Sequence, residues 1–144
     1  MRSPESFPGR TIIENQILLP AAVRTATGTG GAVLLDGFEV LLFQLEVTAA
    51  ATAAGDTLDV FVQTTIDGST WLDSIHFTQV LGNGGAKRFI SKLSASLALT
   101  EYEAGSALGA AAVRNIIGSQ WRARWVIAEA DDASFTFSVK ANAT

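Results

Sequence analysis

The sequence predicts one all-β domain, an antiparallel β-sandwich or barrel of about seven to nine short strands behind an extended N-terminal arm. Three observations carry this. Apolar residues recur at every second position in several segments, the period of a half-buried strand. Gly, Asp and Asn clusters separate those segments at short intervals. Neither βαβ alternation nor an internal repeat is visible, which sets aside Rossmann, TIM-barrel and solenoid architectures.

The elements follow in order. Residues 1–10 hold Pro4, Pro8 and Gly9 among polar residues and form neither helix nor paired strand, so they read as an extended arm or a disordered terminus ahead of a domain over 11–144. Residues 11–23 are mostly apolar but contain Pro20, which removes a ladder donor; they form an edge strand or two short pieces. Residues 25–31 (TATGTGG) are a turn. In the strand 38–48, Leu41, Phe43, Leu45 and Val47 alternate with Leu42, Gln44, Glu46 and Thr48, and the Ala-rich 49–56 is a loop. The strand 58–66 sets Leu58, Val60, Val62 and Ile66 on one face. Asp67-Gly68 is a strong hairpin signal. Its partner strand, 71–80, sets Trp71, Asp73, Ile75, Phe77 and Gln79 against Leu72, Ser74, His76, Thr78 and Val80. After the turn Gly82-Asn83-Gly84-Gly85 comes a strand at 87–93. Residues 97–102 read as a short strand, and 102–112 as a loop or one or two helical turns. In 120–130, Trp121, Ala123, Trp125 and Ile127 face one way and Arg122, Arg124 and Val126 the other. Asp131-Asp132 turns the chain into a last strand, where Phe135, Phe137 and Val139 alternate with Thr136, Ser138 and Lys140.

Composition narrows the function classes. A chain of 144 residues buries enough surface to need no staples. It has no cysteine, so disulfides and thiolate chemistry are excluded. The net charge of −4 argues against a nucleic-acid binder, and no apolar run approaches the roughly 20 residues that span a bilayer. The N-terminus lacks the apolar stretch of a signal peptide. Only 17% of residues are charged, against about 25% in an ordinary soluble domain. That shortfall points to surface buried against another molecule and to a homo-oligomer.

The residues that carry chemistry elsewhere find no constellation here. His76 is the only histidine, too little for a triad or a histidine metal site, and its expected role is structural or solvated. Asp56, Asp59, Asp67, Asp73, Asp131 and Asp132 lack the spacing of a calcium loop; Asp67 and the Asp131-Asp132 pair fit turn caps. The glycine runs TGTGG and GNGG lack the Lys-Ser/Thr ending of a phosphate loop, although Lys87 follows the second at a short distance. No catalytic, cofactor-binding or metal residue is therefore expected, and no enzymatic activity. Arg122 and Arg124, beside tryptophans, suit an interface or an ordinary solvated face. Trp121 and Trp125 are expected in the core. Trp71 and Tyr102 are the aromatics on which a carbohydrate-binding sandwich would depend, the alternative reading.

Two resemblances are visible. TTIDGSTW, residues 64–71, resembles the Asp-box of sialidase-type propellers, Ser-x-Asp-x-Gly-x-Thr-Trp. It is one residue shorter between Asp67 and Gly68 and occurs once, so no propeller or sialidase activity is carried over. The runs LDVFVQTTIDGSTWLDSIHFTQV, GNGGAKRFI and SQWRARWVIAEADDASFTFSVKA, spanning residues 58–141, look like small structural proteins of tailed bacteriophages. Those families carry a strand of the form xVxVQTSxDGxTWxDxxxF and close on a hairpin WRxxWxxxG…PSFTFSV. This chain departs from the pattern at 129–132, where Glu-Ala-Asp-Asp stands in place of a Gly and a Pro-Ser. The resemblance implies a virion component, a head decoration protein or another head or tail subunit, assembled in the host cytoplasm. Its implied partners are further copies of itself, with a trimer expected from the threefold positions of capsid lattices, and the major capsid protein or other virion proteins. No nucleic-acid or membrane partner is implied.

Overall fold

The computed structural model describes residues 12–50, 53–129 and 132–144; the arm expected over 1–10, and Asp131, lie outside the described residues. Among the described residues eleven strands follow one another: β1 (Ile13–Arg24), β2 (Gly28–Thr29), β3 (Val33–Leu34), β4 (Val40–Ala50), β5 (Thr57–Thr65), β6 (Trp71–His76), β7 (Val80–Leu81), β8 (Lys87–Ser94), β9 (Ala112–Val113), β10 (Gln120–Ala128) and β11 (Phe135–Ala143). One sheet runs β1-β11-β4-β8 and the other β2-β10-β5-β6-β9, with β3 also on β10 and β7 also on β5. Every pairing is antiparallel. The fold is an all-β sandwich, not a closed barrel. Among the described residues there is no helix, and so none long and apolar enough to cross a membrane.

The inward rows are those with the two-residue period. Leu41, Phe43, Leu45 and Val47 of β4 and Phe135, Phe137 and Val139 of β11 meet Leu58, Val60 and Val62 of β5 and Trp121, Ala123 and Trp125 of β10. Aromatic pairs join the sheets: Phe43 and Trp121 at 5.2 Å between ring centroids, and Trp125 edge-on to Phe137 at 5.9 Å. Each buried indole finds an acceptor, since Trp121 Nε1 donates to the Leu35 carbonyl and Trp125 Nε1 to that of Ala26. Arg24 closes this end of the core. Its guanidinium lies over Trp125 and Phe137 and donates to the carbonyls of Phe137 and Pro20. Burial pushes it below the usual arginine pKa.

Proline behaves as its missing donor requires. Among the described residues β1 is an edge strand paired only with β11, and its register slips between Leu19 and Ala22, the interval that contains Pro20. A second slip surrounds Asn15, whose φ of 55° is left-handed and whose N–H turns to Asn142 Oδ1.

Four expectations need correction. The strands exceed nine because β2, β3, β7 and β9 are two-residue pieces that no periodicity marks. The short strand expected over 97–102 is a loop; over 102–112 the loop alternative holds, without helix, and only Ala112 joins a strand, in β9. Ile66 does not share the core face with Leu58, Val60 and Val62; β5 ends at Thr65, and Ile66 opens the turn at 75% exposure. The strand expected over 71–80 stops at His76 and carries a bulge. Gln63 pairs with Asp73 while Val62 pairs with Ile75, so Ser74 is the extra residue. The bulge sends Asp73 outward and Ile75 into the core, where strict alternation would have kept them together.

Two stability predictions follow from this packing. Trp125→Ala removes the partner of Phe137 and Arg24 and is expected to cost about 3–5 kcal/mol, read as a lower urea midpoint at unchanged m. Gly118→Ala would place its Cβ 2.3 Å from the Thr65 carbonyl oxygen, so the chain must shift; a loss of about 1–3 kcal/mol is expected. Gly31→Ala, with nothing within 4 Å, is the near-neutral control.

Candidate functional site

The outer face of the second sheet is assembled from residues the alternation leaves pointing away from the core. Three rows cross β10, β5 and β6: Arg124–Phe61–His76, Arg122–Gln63–Asp73 and Gln120–Thr65–Trp71. β5 is dry here too, with Phe61 8% and Gln63 6% exposed, although this is the side away from the core. Its cover consists of the flanking charged side chains. The Arg124 guanidinium lies 4.7 Å from the Phe61 centroid and that of Arg122 4.3 Å from the Trp71 ring. Arg122 Nε donates to Gln63 Oε1, and Gln63 Nε2 donates to Asp73 Oδ1, both at 2.8 Å. Both ends of the buried amide are satisfied and the Arg122 plane is held. Burial lowers the Arg122 pKa, the neighbouring Arg124 charge lowers it further, and Asp73 opposes both.

His76 is stacked on Phe61 at 3.9 Å and anchors the covering loop. One ring nitrogen, Nε2, contacts Asp59 Oδ1 at 2.8 Å and the other, Nδ1, contacts the Leu108 carbonyl at 2.7 Å. The second Asp59 oxygen accepts from Gln79 Nε2. The hydroxyl of Ser74, two residues before it, donates to the Ile116 carbonyl. The histidine thus ties sheet to loop, and its partners are structural groups.

The remaining candidates are dispersed. Asp56 is buried at the start of β5, Asp132 is exposed beyond β10, and Asp59, Asp67 and Asp73 serve three separate hydrogen-bond sets. Among the described residues no three His, Cys, Asp or Glu side chains come together to hold a metal. The glycine runs have their own reasons. Gly28 and Thr29 form β2, Gly30 N–H donates to the Ala123 carbonyl, and a Cβ on Gly28 would meet Trp125 at 2.7 Å. Gly84 N–H donates to the Leu81 carbonyl in a turn, and Lys87 begins β8. Trp71 and Tyr102 are half-buried, each with a guanidinium over its ring, from Arg122 and Arg114 respectively.

The outer face of the first sheet has a different chemistry. Ile17, Lys140, Gln44 and Ile90 form one row, and Asn142, Leu42 and Lys92 the next. Ile17 is 49%, Leu42 39% and Ile90 64% exposed. A hollow of about 200 Å³ opens among Asn15, Leu42, Gln44, Ile90, Lys140 and Asn142. Among the described residues Lys92 and Lys140 form no ion pair, whereas Arg88 pairs with Glu46.

Sequence reasoning identified the Arg122/Arg124 face and the outward Leu42 but missed the Asp59–His76 pair and the Gln63 relay. The polar residues on both β5 and β10 at facing positions were a usable signal. The bulge that brings Asp73 and His76 into line with them left none. No family model, curated protein or solved structure matches this chain.

The Asp-Gly hairpin supplies a titration. Asp67 Oδ1 accepts from the Thr70 and Ser69 amides at 2.7 and 2.9 Å, which holds its pKa at about 2 against the usual 3.8. The depressed value means that its contribution to stability is complete above the unfolded-state value and is lost as pH falls through about 4 to about 2. The carboxyl carbon of Asp67 is expected to titrate near 2, and the melting-temperature gap between wild type and Asp67→Asn to close across that window. A midpoint near 4 would show that the turn does not hold the carboxylate.

Proposed function

We propose that this chain is an assembly subunit that works by binding rather than by chemistry, and that its self-association surface is the outer face of the first sheet. The observation that carries this reading is the exposed trio Ile17, Leu42 and Ile90 on a regular sheet face. Exposed apolar side chains gathered on one sheet face suit a contact, here with Lys140 and Gln44 between Ile17 and Ile90, and closed symmetric assembly is the common way to bury them. The low charged fraction of 17% points the same way. The more specific form is a virion structural protein, a capsid decoration subunit in trimers, and its support is the resemblance to tailed-phage structural proteins. A sugar-binding module is less well supported, because Arg122 and Arg114 lie over the ring faces of Trp71 and Tyr102.

Sedimentation at micromolar concentration is expected to give a species of about three times the monomer mass, and Ile90→Lys to shift it toward monomer while the fold is kept. A wild type that sediments only as monomer overturns self-association in solution. The virion form predicts recovery of the chain in purified phage particles that carry its gene, and recovery only in the soluble fraction of the lysate overturns it.

A further inference from the structure

A patch that meets its own copy makes a two-fold contact, and a ring of three cannot be closed that way. If the Ile17–Leu42–Ile90 face is the self-association surface, as proposed above, a trimer needs a second, different patch on the same chain. A two-fold contact would also gather Lys92 and Lys140 of both copies in one interface. The cations Arg88, Lys92 and Lys140 outnumber Glu46, which Arg88 already engages, and Glu14 of β1. The face is thus locally positive, although the chain carries −4 in sum. The complementary features stand between β8 and β9, where residues 95–101 are exposed without interruption. Leu97 and Leu99 are each 49% exposed, and Glu101 and Glu103 follow them in solvent. Among the described residues neither glutamate forms an ion pair. The neighbouring cation, Arg114, lies over Tyr102 and donates to the carbonyls of Ser106 and Ala107. Those bonds pin one end of the segment, and the Ala95 N–H on the Glu39 carbonyl pins the other.

We propose that the outer face of the first sheet receives residues 95–103 of a second copy of this chain, with Leu97 and Leu99 against Leu42 and Ile90, and Glu101 and Glu103 against Lys92 and Lys140. The hollow of about 200 Å³ beside Leu42 and Ile90 offers room for one of the leucines, and neither leucine lines it in its own chain. Exposed aliphatic side chains leave water on both sides of the contact. Opposite charges meet where a two-fold contact would bring like charges together. A segment pinned at both ends loses little freedom on docking. It leaves β8 at the edge of the sandwich, and the chain beyond it reaches His76 on the second sheet through the Leu108 carbonyl, so the patch lies apart from the face. Two different patches on one chain make a head-to-tail contact, the kind that can close a ring of three. The −4 of each copy acts at long range and is largely screened beyond about 8 Å at 0.15 M salt, which leaves the local pairing to decide.

The test is sedimentation of the whole protein at about 0.15 M salt, joined to disulfide trapping, which the absence of native cysteine makes clean. The double variant Leu97→Ser, Leu99→Ser is expected to raise the dissociation constant at least about tenfold with an unchanged circular dichroism spectrum. Glu101→Lys with Glu103→Lys is expected to weaken association, and adding Lys92→Glu and Lys140→Glu to that chain to restore it. A chain carrying both Ile90→Cys and Leu99→Cys is expected to give covalent dimers and trimers on mild oxidation, whereas each single cysteine variant stays monomeric on a denaturing gel. A wild type that sediments only as monomer overturns the self-association reading and this inference with it. The other failures leave that reading standing and overturn this inference alone. They are a wild type that associates while the leucine variant associates equally, and a charge-swapped chain no better than its parent. Cross-linking of Ile90→Cys alone as fully as the pair would show the face meeting itself, and an associated double-cysteine chain that yields no covalent species would place the loop elsewhere.

Discussion

β5 has to be dry on both of its faces, and most of the molecule is arranged around that requirement. It is the central strand of its sheet, with β10 on one side and β6 and β7 on the other, and from Val60 to Thr65 every residue is buried. The inner half is simple, because Val60 and Val62 meet the aromatic residues of the opposing layers. The outer half contains a polar amide, Gln63, whose desolvation without partners would cost about 1–3 kcal/mol. Arg122 on one neighbour and Asp73 on the other supply those partners.

The choice of cover explains why the outer face is charged yet not fully solvated. Phe61 and Trp71 take guanidinium groups rather than aliphatic side chains over their rings. An arginine can shield an aromatic face and still offer donors to the outside, which a leucine cannot. The loop over residues 95–111, whose carbonyl at Leu108 meets His76, extends the cover without adding regular structure. The sandwich therefore has two unlike exteriors. One is a cation-and-aromatic layer locked by hydrogen bonds. The other is a plain sheet with isoleucine, leucine and lysine at its surface.

Much of the fold was legible because the long strands obey a local rule. Leu41, Phe43, Leu45 and Val47, and Trp121, Ala123 and Trp125, point inward as their alternation requires, and Leu42, Arg122 and Arg124 point outward. The Asp-Gly turn was equally legible, since Gly68 takes a φ of 84° and the Asp67 carboxylate caps two amides within three residues. What escaped was non-local. A bulge is one extra residue in one strand relative to its partner, and Ser74 has no composition that announces it. The two-residue strands β2, β3, β7 and β9 exist only because a longer neighbour offers its free edge.

By itself, the sequence determined the class of fold, the inward rows of the long strands, the hairpin at Asp67-Gly68 and the absence of cysteine chemistry. Each of these depends on residues within a few positions of one another or on composition alone. Only the tertiary structure decided a sandwich over a barrel, because closure depends on which distant edges pair. It also decided that Asp59 meets His76 across 17 positions and that Arg122 reaches Gln63 across 59. Such contacts are set by strand register and by a single bulge, and register is a relation between distant segments that no local pattern contains.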